Sequence, residues 1–301
     1  MPPLANQRIA YHNGAYLPED EVKVSFRDRG FKYGDAAFDT TRTFGQRIYK
    51  LPEHIARFYR SLRYLRLDPG LSPAEMLAIS EQVFERNRHM LGPDEDFWLS
   101  QRVSRGLDMG GPPTVIVECT PLPLKERAHL FRQGIDVVVP ALRRVSPSAV
   151  SPRAKMHNYI NLILADFEAK AATAEGWAVL LDENGNLAEG QGSNIFLARE
   201  GRLYTPSERY VLPGVSRQTV IELAAAAGIP LLEGDIDLYD AAVADEAFLT
   251  STSLCICPIR AINGGRLGDG TVPGPITRRL TEAYARFVQF DFVGQYEKHL
   301  G

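Results

Sequence analysis

The sequence is poor in cysteine, has no long apolar run and carries no excess of positive charge, and each shortage removes a class of protein. Its three cysteines, Cys119, Cys255 and Cys257, are odd in number and include no CxxC pair. Neither a disulfide framework nor a cysteine-based metal site is therefore written into the chain. Cys255 and Cys257 alternate within an apolar stretch, the pattern of small buried side chains, and no metal is expected. No apolar segment approaches the roughly 18 residues of a membrane span, and the opening MPPLANQRIA lacks the apolar centre of a signal peptide. The formal net charge is -3, and lysine and arginine are scattered apart from short runs such as Arg143-Arg144 and Arg278-Arg279. That leaves no basic face for nucleic acid. Low-complexity tracts and solenoid-period repeats are also absent. The expectation is a soluble protein of the reducing cytoplasm that works on small molecules.

At 301 residues the chain is long enough for two domains with a substantial core. The first part alternates strand and helix signals. IAYHNGAYLPEDEVKVS suggests two short strands around Asn13-Gly14, and AAFDTTRTFGQRIYKL a hairpin turning near Gly45. Leu51, Ile55, Phe58, Leu62 and Leu65 mark one helical face with Pro52 in the first turn, and a second helix is predicted over 73–90. DFWLSQRVSRG and PTVIVECT return to strand character. PLPLKERAHLFRQG, rich in proline and charge, reads as a connection between domains. The expected division is 1–121, a small N-terminal domain; 122–134, the connection; and 135–301, a larger domain. In the second part IDVVVPAL is strand-like, Asn184-Gly185 suits a hairpin turn, and residues 216–227 and 276–288 look helical. Both halves are mixed, so the fold class is α+β.

One lysine stands out in VSPRAKMHNYINLILADFEAK. Lys155 precedes a predicted helix whose apolar residues Ile160, Ile163, Leu164, Phe167 and Ala171 recur at helical spacing, with Asn158 as its expected cap. A lysine where the chain turns inward can be aimed into a cleft, and a desolvated lysine becomes an amine nucleophile that forms Schiff bases with carbonyl compounds. The alternative for a lone lysine is a solvated loop residue.

Four other stretches supply what a phosphate-bearing aldehyde would need, though each also has an ordinary reading. LPGVSRQTVIEL places a Pro213-Gly214 turn before a helix starting near Val215, whose first amides and positive dipole end form an anion site that the Ser216 hydroxyl could complete. LTSTSLCICPIR gives a hydroxyl-rich turn, Thr250 to Ser253. Arg57 directly precedes the apolar-face residue Phe58, a placement that offers a planar fork to phosphate. Glu189 ends a short strand before Gly190-Gln191-Gly192, where small residues permit close backbone approach. Neither a dinucleotide-binding GxGxxG nor a GxSxG nucleophile elbow around Ser193 is present.

Taken together and in order, FRDRGFKYGDAAFDTTRTFGQRIYKLPEHIARFYRS, PRAK with NYINLILADFEA, LDENGNLAEGQGSNIF, LPGVSRQTVIELA and FLTSTSLCICPIR resemble the class IV, or fold type IV, pyridoxal-phosphate aminotransferases over nearly the whole chain. The resemblance implies a small N-terminal α/β domain, a larger C-terminal pseudo-barrel α/β domain, pyridoxal 5'-phosphate between them, and a homodimer. It assigns Lys155 to the internal aldimine of a ping-pong transamination and to proton transfer at Cα. It assigns Glu189 to the pyridine nitrogen, Tyr159 to the neighbourhood of the phenolic oxygen, and Arg57, Val215, Ser216 and Thr252 to the phosphate. Ser193 and Asn194 fall among the cofactor-binding positions. A carboxylate about 4 Å from the ring nitrogen is worth about 4 kcal/mol to its protonated form at an effective dielectric near 20, which keeps the electron sink switched on.

On the substrate side, the resemblance matches Tyr33, Phe38 and Arg42 to positions of the branched-chain enzymes, the turn amides up to Ser253 to a carboxylate holder, and places Trp98 along the same pocket, which points to L-branched-chain amino acids with 2-oxoglutarate as acceptor. The sequence departs from that subgroup in several places. Trp98-Leu99-Ser100 stands where those enzymes commonly show Tyr-x-Arg, Thr40 stands for a glycine, and Cys255 replaces a common acidic residue. Arg102, Arg105 or the GLDMGG loop could take over carboxylate binding. An (R)-selective amine or D-amino acid transaminase is the second reading, although the Arg-x-His signature of the D-amino acid subgroup is missing from RGLDMGGPP. Aminodeoxychorismate lyase is the third.

Overall fold

The structure, a computed structural model, describes residues 7–107 and 111–300. The chain forms two compact units, Met1–Leu122 with Ala154–Asn158, and Pro123–Arg153 with Tyr159–Gly301.

The first unit is built from β1 (Ile9–His12), β2 (Ala15–Pro18), α1 (Arg29–Tyr33), β3 (Ala36–Phe44), β4 (Arg47–Ile48), α2 (Leu51–Tyr64), α3 (Pro73–Asn87), β5 (Phe97–Ser104) and β6 (Thr114–Pro121). Its six strands form an antiparallel sheet in the order β2-β1-β6-β5-β3-β4. The Asn13-Gly14 and Gly45 turns fall where the sequence puts them, each at positive φ. The α2 helix buries Leu51, Ile55, Phe58 and Leu62 with Pro52 in its first turn, and α3 starts on a capping box between Ser72 and Glu75. Residues 88–90, expected inside the second helix, form a separate 3-10 turn. Both helices join one core with Phe97, Leu99, Val103 and Val117.

The second unit contains α4 (Leu124–Gln133), β7 (Ile135–Val138), α5 (Ile160–Ala172), β8 (Trp177–Leu181), β9 (Leu187–Gly190), β10 (Asn194–Arg199), β11 (Arg202–Pro206), α6 (Val215–Ala226), β12 (Leu231–Gly234), α7 (Leu238–Ala242), β13 (Glu246–Ser251), β14 (Cys255–Ile262), β15 (Gly265–Arg266), α8 (Pro275–Val288) and α9 (Phe292–Glu297). The sheet runs β12-β11-β10-β13-β14-β7-β8-β9, and β9 also pairs with β10 through Glu189 and Asn194. That last pairing closes β10, β13, β14, β7, β8 and β9 into a ring of six strands. Closure removes exposed strand edges from the ring.

Three details differ from the sequence reading. The stretch 122–134 holds the helix α4, whose Phe131 stacks on Tyr296 with ring centroids 4.5 Å apart, so this segment is part of the second unit's core. On α5 the buried residues are Leu162, Ala165 and Ala169, whereas Ile160, Leu164 and Phe167 are exposed. The cap residue of α5 is Tyr159 rather than Asn158, and it caps with no side-chain bond. No helix of the described residues is long and apolar enough to cross a membrane.

Candidate active site

In the first unit, residues 154–158 lie along the edge of β3. The Phe38 amide donates to the Lys155 carbonyl at 3.1 Å, the His157 amide donates to the Ala36 carbonyl at 2.9 Å, and Ala37 bridges Met156. The Lys155 amide donates to the Ser61 hydroxyl on α2 at 3.0 Å. Gly34, at φ 68, passes so near this segment that a Cβ there would sit 2.3 Å from Asn158 Oδ1. These bonds fix the backbone from which the lysine side chain extends, and its Nζ stands 4.5 Å from the centroid of the Phe38 ring. The amine thus rests on an aromatic face, partly buried.

On the opposite face of β3, Asp39 is wholly buried and holds two partners. Its carboxylate accepts from Arg57 Nε at 2.8 Å and Arg57 Nη2 at 2.7 Å, and pairs with His54 Nδ1 at 2.7 Å. Burial pushes the Asp39 carboxyl up, but the Arg57 guanidinium and the His54 bond outweigh it and hold the group below the usual carboxylate range. Burial also pushes the His54 imidazole down, so it is neutral beside two cations, Arg57 and Lys155. Arg57 is therefore an oriented, buried guanidinium.

The face of the sheet that carries Phe38 is set by strand register. Phe38 lies opposite Arg102, Thr40 opposite Ser100, and Arg42 opposite Trp98, so these six side chains share one face. Thr40 and Ser100 share a hydrogen bond between hydroxyls at 3.0 Å. Arg42 is fully buried: its Nε donates to the Thr43 carbonyl at 2.8 Å, its guanidinium lies 4.1 Å over Phe44, and Asp96 is 3.7 Å away. Arg42 is thus committed to bracing the strand from inside the fold. Tyr33 is 56% exposed on α1 with Lys32 over its ring. Arg105 is likewise committed, bonded twice to Asp35 and to the carbonyls of Leu65 and Arg66. Of the GLDMGG loop, residues 108–110 lie outside the described residues.

In the second unit, Glu189 is buried at the ring closure. One oxygen accepts from Arg144 Nε at 2.9 Å and the other from the Leu212 amide at 2.8 Å. The sequence reading missed Arg144, which it took only as part of a short basic run. Asn194, buried next to Glu189 in the pairing, donates to the Leu212 carbonyl at 3.0 Å and so anchors the loop that leads to α6. Ser193 is buried, and its carbonyl accepts from the Gly190 amide at 2.9 Å, which closes the tight turn.

Gly214 is the cap residue of α6 and has no side chain to bond the first amides of that helix. A Cβ there would sit 2.2 Å from Asn194 Oδ1, so glycine is required by this close approach. The amides of Val215 and Ser216 are thus left at the positive end of a 12-residue helix. The Ser216 hydroxyl, expected to face an anion, donates to the Ser251 carbonyl at 3.0 Å and accepts from the Tyr284 hydroxyl at 3.3 Å. It ties the helix start to the end of β13. The turn that follows is shorter than the sequence suggested, Thr252 to Leu254, because Thr250 and Ser251 are strand residues. Ser253 is buried, with its hydroxyl bonded by Arg127 and its carbonyl by the Tyr296 hydroxyl. Cys255, at φ 57, ends the turn in the left-handed region, and both it and Cys257 are buried and in no disulfide. Tyr159 packs against the cluster of Leu162, Ala165, Ala169, Ala178 and Leu180.

Residues 36–262 match the family model for amino-transferase class IV. Over 282 residues the chain is 34% identical to a protein of Methanocaldococcus jannaschii described as a putative branched-chain-amino-acid aminotransferase, covering 91% of this chain and 94% of that protein. The fold is similar to that of the T.th. branched-chain amino acid aminotransferase solved with pyridoxamine 5'-phosphate. That likeness has a TM-score of 0.86 at 28% identity and covers 94% of each chain. The same enzyme complexed with N-(5'-phosphopyridoxyl)-L-glutamate gives 0.84 at the same identity and coverage. The chain belongs to the class IV aminotransferase family, and it is an aminotransferase of mixed α+β fold.

The residues present fit a phosphorylated pyridine aldehyde by the chemistry of their donors. Within the first unit a primary amine rests on an aromatic ring; within the second, a buried carboxylate is fixed at both oxygens and a helix N-terminus with uncapped amides is preceded by a glycine cradle. Those are the partners that an aldehyde, a pyridine nitrogen and a phosphate require.

Proposed function

We propose that the chain is a pyridoxal-phosphate-dependent transaminase that moves an amino group between an L-branched-chain amino acid and a 2-oxo acid such as 2-oxoglutarate. The observation that carries the reading is the Lys155 amine standing 4.5 Å over the Phe38 ring. A nucleophilic amine on an apolar surface suits an apolar amino acid side chain, and the similarity to the Methanocaldococcus jannaschii and T.th. proteins supports that substrate class. The bound cofactor supplies an electron sink for the carbanion at the amino-bearing carbon.

In this reading Lys155 holds the cofactor and moves the proton at Cα. Glu189, fixed by Arg144 and the Leu212 amide, faces the ring nitrogen. Arg57, the amides of Val215 and Ser216, and Thr252 take the phosphate, while Ser193 and Asn194 shape the backbone around it. Tyr159 serves the phenolic oxygen, and Tyr33, Phe38, Trp98 and Ser253 bound the substrate. The reading includes a homodimer, supported by exposed Ile160, Leu164 and Phe167 on α5 and by exposed Phe26 and Phe31 in the first unit. A reducing cytoplasm accords with three buried cysteines that form no disulfide.

A second reading, an (R)-amine or D-amino acid donor, is favoured by Ser100 where branched-chain enzymes carry an arginine. One experiment separates the two. The protein loaded with cofactor is mixed separately with L-leucine, D-alanine and (R)-1-phenylethylamine, and the cofactor absorbance is followed. Bleaching by L-leucine alone is expected; bleaching only by the others moves the donor class, and no response to any of the three overturns transamination in favour of elimination chemistry. Lys155→Ala should lose the band and reduce turnover by about 10³-fold.

A further inference from the structure

We propose that Arg102 receives the side-chain carboxylate of a dicarboxylic acceptor, and that Glu118 is the internal anion which that carboxylate must displace. The inference rests on the transaminase reading above and adds the group that sorts acidic from apolar substrates.

Strand register places Arg102 directly opposite Phe38 and on the same face. Its guanidinium lies 5.4 Å from the centroid of the ring that carries the Lys155 amine at 4.5 Å. The Lys155 amine and the Arg102 guanidinium thus both contact the same Phe38 ring. A substrate whose amino-bearing carbon is held at Lys155 would lay its next methylene groups on that ring. An apolar side chain ends there, whereas a longer acidic one reaches the guanidinium.

The state of Arg102 differs from that of the other arginines near this strand. Arg42 is buried and turned to Asp96 and Thr43, and Arg105 makes four bonds to Asp35, Leu65 and Arg66. Among the described residues, Arg102 has one hydrogen-bond acceptor, Glu118 Oε1, reached by Nη2 alone at 3.2 Å. Its side chain is 39% exposed. A guanidinium has five N–H donors in a planar fork that matches a carboxylate two at a time, so a single long bond leaves most of its capacity for a ligand. The neighbouring His157 is neutral at neutral pH, because burial and the Arg102 charge push its imidazole down to about 4, so it brings no competing positive charge.

Glu118 gives the filter its direction. Its other oxygen accepts from the Thr120 hydroxyl at 2.7 Å, which holds the carboxylate beside Arg102 even when the ion pair opens. An incoming carboxylate meets a cation that already has an anion next to it, and like charges at short range oppose binding. An apolar substrate displaces nothing.

The test compares 2-oxoglutarate with 4-methyl-2-oxopentanoate as acceptors, with the donor that bleaches the cofactor in the wild-type protein, in Arg102→Gln, Arg102→Lys and Glu118→Gln. The measured quantity is the ratio of kcat/KM for the dicarboxylic acceptor to that for the monocarboxylic one. Arg102→Gln should lower it about tenfold or more through KM, since a charge-assisted bond is lost. Arg102→Lys should restore part of the loss, and Glu118→Gln should raise the ratio about threefold. A ratio within about twofold of wild type in both Arg102→Gln and Glu118→Gln overturns the inference. Silence of the wild-type protein toward every donor instead overturns the transaminase reading, so the two failures are distinct.

Discussion

The two units handle charge in different ways. In the first, two carboxylates near the candidate site are met by charge: Asp39 with Arg57, both buried, and Asp35 with Arg29 and Arg105. In the second, the carboxylates at the key positions are met largely by backbone. Glu189 takes the Leu212 amide as well as Arg144, and Glu246 accepts the amides of Ile276 and Thr277 at 2.9 and 2.8 Å, which caps α8. A side-chain ion pair fails when either partner is replaced, because the remaining charge stays buried without compensation. A backbone donor cannot be mutated away, so that arrangement yields only to changes that move the chain.

The widest separation between the two should come from paired neutralising substitutions. Asp39→Asn removes the counter-charge of a buried guanidinium, and denaturant melts should show a loss of about 3–5 kcal/mol. Glu246→Gln keeps one acceptor for the α8 amides and should cost only about 1 kcal/mol in the same assay. Equal losses would break the comparison. A backbone change sharpens it: Gly214→Ala puts a Cβ against Asn194 Oδ1, shifts the start of α6, and should lower the stability of the cofactor-free protein by about 1–3 kcal/mol in the melt and weaken cofactor affinity about tenfold in a titration.

A further contrast is a pH dependence. His157 has a folded-state pKa near 4 against an ordinary 6.5, so the folded state resists protonation. The unfolded chain binds the extra proton first, and stability present above about pH 6.5 is lost as pH falls toward 4. His157→Gln should flatten that limb of the stability profile, measured as Tm between about pH 7 and 4.5. An unchanged slope would mean that the limb belongs to other groups.

These contrasts also explain what could be read from the sequence. The α2 helix was legible because one apolar stripe alternates with charge, so periodicity alone selects the buried side. The α5 helix was not, since it is apolar around most of its circumference, and the small residues Ala165 and Ala169 turn inward while Ile160 and Phe167 stay outside. Periodicity finds a helix, but it cannot choose between two apolar faces. Lys155, Glu189 and the α6 start were visible as local patterns. Their partners were not: Asp39 lies 18 residues from Arg57, and Arg144 lies 45 from Glu189. Tertiary pairing leaves no periodic trace, and a buried arginine such as Arg42 looks in the sequence like any surface one.

Lys155 comes late in the chain yet belongs to the unit that begins it. Its backbone contact to Ser61 spans 94 residues, and the Ala36–Phe38 part of β3, beyond the short pairing with β4, gains its edge partner from residues 155–157. During synthesis the N-terminal sheet therefore emerges with one edge unfinished, and it must wait for a long stretch of the second unit to be made before the lysine segment can dock. Contacts of such high sequence separation slow folding and leave an exposed strand edge in the meantime. The segment that completes the sheet is thus also the one that delivers the reactive amine.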